Sequence, residues 1–418
     1  MRARELAMQV LGETLRAPTL DPRRLAARAA LDLGVAAGEG VVLLGAGKPA
    51  AAMAAGVIDV LEERVSTGFV VGKHAALLPA PVAHVVAAHP FPDARSEVAG
   101  RELLGRAAAA RRIVLCLGGG ASALAAVPAP GVRLAEKVAL TRALAATGAD
   151  IAALARVRRA LSAIKGGRLA LATRARIDAL VLSDVVGDAL HVIGGGPVSP
   201  PPEEEPARVT LQRAGLALAP ALAAALQPDV RPGGGRFDHV RARVLAGPDA
   251  LVTAAAAALE AAGVRVVAQR PRVEGDVAAL AQTLCAHARA LRAARLAAGP
   301  RAPALAYVAG GEPTVRLPPS PGRGGRAQHT ALACALGLAG LDDVAILCVA
   351  SDGSDGPTSD AGGLVDGGSA ARASAAGEDP ASALERCDSG SALASAGDLV
   401  STGPTGNNLC DLFIVLAA

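Results

Sequence analysis

The chain alternates short apolar runs with long helical ones. Residues 40–45, GVVLLG, form an apolar run that ends in glycine, and KPAAAMAAGVIDVLEERV then follows a helical period. Similar runs recur as GFVVG (68–72), AHVVAA (83–88), RIVLCLGGG (112–120) and ALVLSDVVGD (179–188), with Ala/Leu-rich helical stretches between them. Apolar runs without polar alternation suit strands buried on both faces of a parallel sheet. The alternation predicts a doubly wound α/β domain. Such sheets bind ligands at the carboxyl ends of their strands. GAGK, HPFPD, GGGAS and SDVVGD all fall there.

LQPDVRPGGGRFD (226–238) is rich in proline and glycine and sets the expected boundary, giving domains 1–234 and 235–418. Beyond it, RARVLAG and VRVVAQ read as strands around an Ala helix, and ALAYVAGGEPTVRL as two strands about a tight turn. GRGGRAQHTALACALGLAG is a loop entering a helix. VAILCVASDGSDGPTSDAGG is a strand entering an acidic glycine loop, and STGPTGNNLCDLFIVLAA a loop and a closing strand. The second half is therefore also α/β, with a mixed sheet. MRARELAMQVLGETLRA reads as an amphipathic helix interrupted by Glu5 and Glu13, unlike a signal peptide. No long uncharged apolar run predicts a membrane span.

Composition narrows the picture. The 418 residues exceed one ordinary core, so two domains are expected. Hydrophobic residues make up 52% but aromatic ones only 1%, so the core must be packed from Ala, Leu and Val. A net charge of +4 and the scarcity of aromatic platforms argue against nucleic acid and fit a small anionic ligand. Six cysteines lack any C-x-x-C spacing, which predicts neither a zinc site nor disulfides, and a cytoplasmic setting. Lys48, Lys73, Lys137 and Lys165 are the only lysines among 42 basic residues. Those that remain mark places where a compact ammonium is needed.

The chemistry-bearing segments are glycine loops with cations and acidic loops after strands. GAGKPA (45–50) matches G-x-G-x-x-A through Gly45 and Gly47, yet lacks the acidic residue of a dinucleotide site. It reads as a strand-to-helix turn or as an anion site to which Lys48 adds charge. LGGGASAL (117–124) places Gly119, Gly120 and Ser122 in a second such loop. IKGGRLA sets Lys165 and Arg168 three apart, on one face if helical. SDVVGD puts Asp184 and Asp188 just past a strand, able to hold Mg²⁺ or take a hydroxyl proton. GRGGRAQH offers Arg323 and Arg326 to phosphate or carboxylate. SDGSDGPTSD supplies Asp352, Asp355 and Asp360 for one- or two-carboxylate Mg²⁺ binding or for Asx turns. TGPTGNN brings Thr405, Asn407 and Asn408. As a set, these are the parts of phosphoryl transfer.

In order, GAGK, HPFPD, VRRALSAIKGGRLA, SDVVGD, GGEPTV, GRGGR, SDGSDGPTSDAGG and TGPTGNNLCDL resemble the motifs of the glycerate 2-kinase family, whose C-terminal part is the MOFRL domain. The resemblance runs from about residue 5 to 418. It implies two unlike α/β domains around a cleft, the first Rossmann-like with a parallel sheet and the second with a mixed one. The implied activity is ATP- and Mg²⁺-dependent phosphorylation of D-glycerate, or of a related small hydroxy acid, to 2-phosphoglycerate. Members are often labelled hydroxypyruvate reductase. The resemblance makes Lys48 the essential lysine and either Arg323 or Arg326 the essential arginine. The family also carries aspartates matching Asp184, Asp188, Asp352 and Asp355; Asp184 or Asp188 is expected to serve the acceptor hydroxyl and Asp352 or Asp355 to support Mg²⁺. Gly45, Gly47, Gly119, Gly120, Ser122, Lys165, Arg168, Thr405 and Asn408 are expected to bind nucleotide or substrate. A homodimer is expected, with no nucleic-acid or membrane partner.

The chain departs from the family pattern at Gly118 and Gly195, each in place of serine. It also departs at Ala155, Ala327 and His329, in place of an asparagine, an amide and a carboxylate, and in TGNNLCD. Two other readings stand beside the kinase: an NAD(P)H-dependent hydroxypyruvate reductase, and a catalytically inactive small-molecule-binding homologue.

Overall fold

The computed structural model describes residues 3–149, 151–231, 233 and 235–418. Two compact units divide the chain. One comprises residues 22–183 and 188–245; the other comprises the segment through Asp21, residues 184–187 and 246–418.

The first unit is built on β1 (Val41–Ala46), β2 (Val65–Gly72), β3 (Val82–Val86), β4 (Arg112–Leu117), β5 (Arg176–Leu182) and β6 (Val240–Ala246). Their order in the sheet is β3-β2-β1-β4-β5-β6, and β1 to β5 run parallel. β4 is buried along its whole length, as its unbroken apolar run requires. Its one charged residue, Arg112, is paired with Asp178 of β5 at 3.1 Å and with Glu39 at 2.7 Å. The strand order reverses between β1 and β4, so the chain leaves these neighbours in opposite directions. That divergence opens a crevice at their carboxyl ends.

The second unit is a mixed sheet of β7 (Arg265–Val273), β8 (Leu305–Gly311), β9 (Val344–Ala350), β10 (Gly362–Asp366), β11 (Leu399–Val400) and β12 (Asp411–Ala417). The order is β11-β10-β9-β12-β8-β7. β12 lies antiparallel between β8 and β9, while β7 runs parallel to β8. The closing strand of the sequence is thus a central one, buried at every position.

Three details differ from the sequence reading. TVRL adds no second strand to β8, because β7 and β12 already occupy both edges of β8. Thr314 instead makes a single bridge with Asp276. Gly362 and Gly363, read as the end of the acidic loop, instead begin β10 against β9. The units also divide differently from 1–234 and 235–418. Residues 240–245 complete the first sheet as β6. The N-terminal helix Ala3–Leu15 belongs with the second unit, where it buries Leu6, Val10 and Leu11 and packs on helix Pro248–Ala261 and on β9 and β12. Arg4 ties it down through Asp366 at 3.0 Å and Asp398 at 2.8 Å.

With so few aromatic residues, each large core side chain carries much of the packing. Phe413 of β12 is fully buried among Leu284, Leu332, Ile346 and Val415. Phe413→Ala should cost about 3–5 kcal/mol in a urea unfolding measurement, the usual sum of lost transfer energy and cavity. An unchanged midpoint would contradict this account of the core.

Candidate active site

In the β1–β6 unit, the loops leaving β1 and β4 interlock. The Lys48 N–H donates to the Gly119 carbonyl at 2.8 Å, and the Gly118 N–H donates to Ala46 at 3.1 Å. Gly47 has φ +134°, and a Cβ there would stand 2.7 Å from the Gly118 carbonyl oxygen, so only glycine lets the loops meet. Gly45 lies within β1 itself. Gly120 borders the His89 ring and the Lys48 stem, which a Cβ would meet at 3.2 and 3.4 Å. Lys48, Gly119, Gly120 and His89 therefore share one locality at the order reversal.

Ser122 sits one turn on. It accepts from Lys165 Nζ through its carbonyl at 2.6 Å and through its hydroxyl oxygen. Lys165 is not on a helix face with Arg168, as the spacing predicted. It lies in the turn before helix Arg168–Leu171, whose paired glycines adopt φ +60° and +82°. Arg168 is turned to main chain, donating to the carbonyls of Arg159, Lys165 and Pro228. It acts there as a strut. Lys165 is 2% exposed, and burial, then Lys137 and Arg158, lower its pKa well below the usual lysine range. Gly195 leaves the space its side chain needs: a Cβ would come 2.7 Å from Lys165 Cδ.

In the other unit, the antiparallel register of β12 sets its first residue, Asp411, opposite Gly311 and Ala350, the last residues of β8 and β9. Three loops and one helix start gather there. Asp411 is 1% exposed and accepts from Arg326 Nε at 2.6 Å and Nη2 at 3.4 Å, while Arg326 Nη1 donates to Glu312 at 2.6 Å. Burial works against the guanidinium charge, but Asp411 and Glu312 outweigh it and hold Arg326 protonated. Burial raises the Asp411 pKa, opposed by Arg326.

Arg326 opens helix Arg326–Gly337, whose N-cap, Gly325, supplies no side chain. Asp355 caps it from another loop, accepting from the N–H groups of Ala327 at 3.1 Å and Gln328 at 2.7 Å. A Cβ on Gly325 would collide with that carboxylate. Burial and the Asp411 charge push the Asp355 pKa up to about 7. Asp352, also buried, accepts from the Ser354 N–H at 2.9 Å. Thr405 donates to the Ser351 carbonyl at 2.6 Å, and Asn408 Nδ2 donates to Asp184 at 2.9 Å.

The predicted residues thus fall into two groups. Asp184, Arg326, Asp352, Asp355, Thr405 and Asn408 belong to the β7–β12 unit. Asp188, with φ +55° and one buried carboxylate oxygen lacking a hydrogen bond, belongs to the β1–β6 unit with Lys48, Ser122 and Lys165. Arg323 braces its own loop, pairing with Asp360 and donating to Gly390 at 3.2 Å. Among the described residues no cluster of three or more His, Cys, Asp or Glu is arranged to hold a metal. Asp352 and Asp355 are buried carboxylates of one loop, the donor type that a hard cation such as Mg²⁺ takes, one or two at a time with water and substrate phosphate. Glu312 and Asp411 were missed, although both lie in quoted motifs. GGEPTV was read for its turn, and Asp411 for the strand that it begins.

Comparisons with known proteins agree with this architecture. A family model described as a domain of unknown function (DUF4147) matches residues 8–227, and the MOFRL family model matches residues 305–411. The D-glycerate 2-kinase of Thermotoga maritima is 33% identical over 384 residues, covering 90% of each chain. An Agrobacterium vitis protein with a provisional hydroxypyruvate reductase name is 37% identical over 90% of this chain and 98% of its own. The crystal structure of glycerate kinase from Thermotoga maritima superposes with a TM-score of 0.83 at 30% identity, covering 99% of both chains. No helix among the described residues is long and apolar enough to cross a membrane. By sequence, by family model and by fold, the chain belongs to the glycerate kinase family with a C-terminal MOFRL domain.

Proposed function

We propose that this chain transfers the γ-phosphoryl group of ATP, with Mg²⁺, to the 2-hydroxyl of D-glycerate and yields 2-phosphoglycerate. The observation that carries the reading is the Arg326 centre. Its guanidinium is fixed by the buried Asp411 and by Glu312 at a place where strands of an α/β sheet end. A cation held that rigidly needs little reorganisation when charge develops on a transferring phosphoryl group. Relatives named glycerate 2-kinase support the substrate class.

Roles follow from chemistry. Arg326, held by Asp411 and Glu312 at the strand ends, is assigned the phosphoryl group, and Arg323 braces the loop through Asp360 and Gly390. Lys48, carried on the interlocked glycine loops, neutralises phosphate charge. Asp184, oriented by the Asn408 amide, aligns or deprotonates the acceptor hydroxyl. Asp352 and Asp355 would hold Mg²⁺, which would offset phosphate charge. Thr405 and Asn408 shape the loop that carries these groups. Six free thiols support a reducing, cytoplasmic setting.

Two measurements test the proposal. With D-glycerate and Mg²⁺-ATP, ADP release should be robust, while NADH oxidation with hydroxypyruvate should stay at background; the reverse result would establish the reductase reading instead. Lys48→Ala and Arg326→Lys should each lower kcat/KM by at least about 10²-fold, the scale of losing one preorganised charge contact. Their thermal midpoints report whether the fold survives. Full activity in either variant would remove that residue from the mechanism.

A further inference from the structure

Lys137 is a buried lysine that the mechanism above leaves unused. It lies on the buried face of helix Leu134–Ala146 with Leu140, Thr141 and Leu144, and is 4% exposed. Its Nζ is buried and has no hydrogen-bond partner. The second buried lysine, Lys165, reaches only the carbonyl and hydroxyl oxygens of Ser122. Neither forms an ion pair among the described residues. Three groups act on Lys137 and Lys165 besides each other and Ser122. Arg158 repels both, Arg168 repels Lys137, and Glu97 attracts Lys137 without pairing with it.

An unpaired buried ammonium is costly, and a second one nearby is costlier. Both stand in a chain that keeps only four lysines. Two buried lysines that act on one another, one of them with its donor unmade, are complementary to an anion that is not part of the protein. We propose that Lys137 and Lys165 form an oxyanion pocket in the β1–β6 unit, taking the carboxylate of a small hydroxy acid or a phosphate group. Assigning that acid as the kinase acceptor rests on the reading above; the pocket itself does not.

Lys137→Met keeps the length of the side chain and removes its charge. Calorimetric titrations of the full-length protein without nucleotide, using D-glycerate, inorganic phosphate and uncharged glycerol, read the pocket directly. At least one anion should bind the variant tenfold or more weakly than wild type, and which one weakens identifies the oxyanion taken. Glycerol should not discriminate. The unliganded variant should melt at or above the wild-type temperature, because it buries no unpaired charge. Lys137→Gln should weaken anion binding in the same way.

Burial, then Arg158 and Arg168, bring the Lys137 pKa down to about 7, against about 10.4 in an unfolded chain. The unfolded state therefore binds more protons between these values, and unliganded wild type should gain stability as pH rises from about 7. Anion affinity should fall over the same rise. Both trends should be weaker in Lys137→Met. Wild type that binds neither anion, or a variant that binds both within twofold of wild type, would overturn the pocket. These binding readouts hold even if ADP release fails, so the two readings can fail separately.

Discussion

The contact between Arg326 and Asp411 organises the β7–β12 unit. Asp411 is buried because β12 runs antiparallel between two strands and must begin where they end. A carboxylate there needs a cation, and Arg326 supplies one with a geometry that serves Glu312 as well. Arg326 in turn must be the first residue of its helix, so the helix starts where the strand does. Its bare N-terminus is then capped by Asp355, which explains why GRGGR leaves no side chain at Gly325. Three acidic loops are thus drawn together by one buried charge and its compensation.

The β1–β6 unit solves a different problem with glycine. Its central loops exchange backbone hydrogen bonds at the order reversal, where a Cβ at Gly47 would meet main chain. Close approach of backbone leaves the neighbouring side chains, Lys48 and His89, at the strand ends. In the other unit the buried Asp411 is matched to Arg326, and the buried Asp355 to helix N–H groups.

Several departures from the family pattern have local causes. A side chain at Gly118 would collide with Pro49, so the missing serine hydroxyl is tied to the proline after Lys48. Gly195 gives room to the Lys165 side chain. Ala327 is fully buried, and its contribution to Asp355 comes from its N–H. His329 contacts the Ser389 hydroxyl at 3.2 Å, and burial lowers its pKa, which favours the neutral ring.

What the linear chain determined is local. Apolar runs such as RIVLCL and FIVLAA can only be buried strands. Glycines beside Lys48 mark a strand-to-helix turn, and the ordered motifs were enough to identify the family. What depended on tertiary structure is which residues meet. That β12 is central rather than terminal, that TVRL finds no edge, and that Ala3–Leu15 joins the C-terminal unit all follow from pairing and packing across long sequence separations. Asp184 and Asp188 are four apart in sequence yet belong to different units. The roles of Glu312, Asp411 and Lys137 were invisible for the same reason. A carboxylate or ammonium acquires its pKa from burial and neighbours, and those are fixed only when remote segments fold against each other.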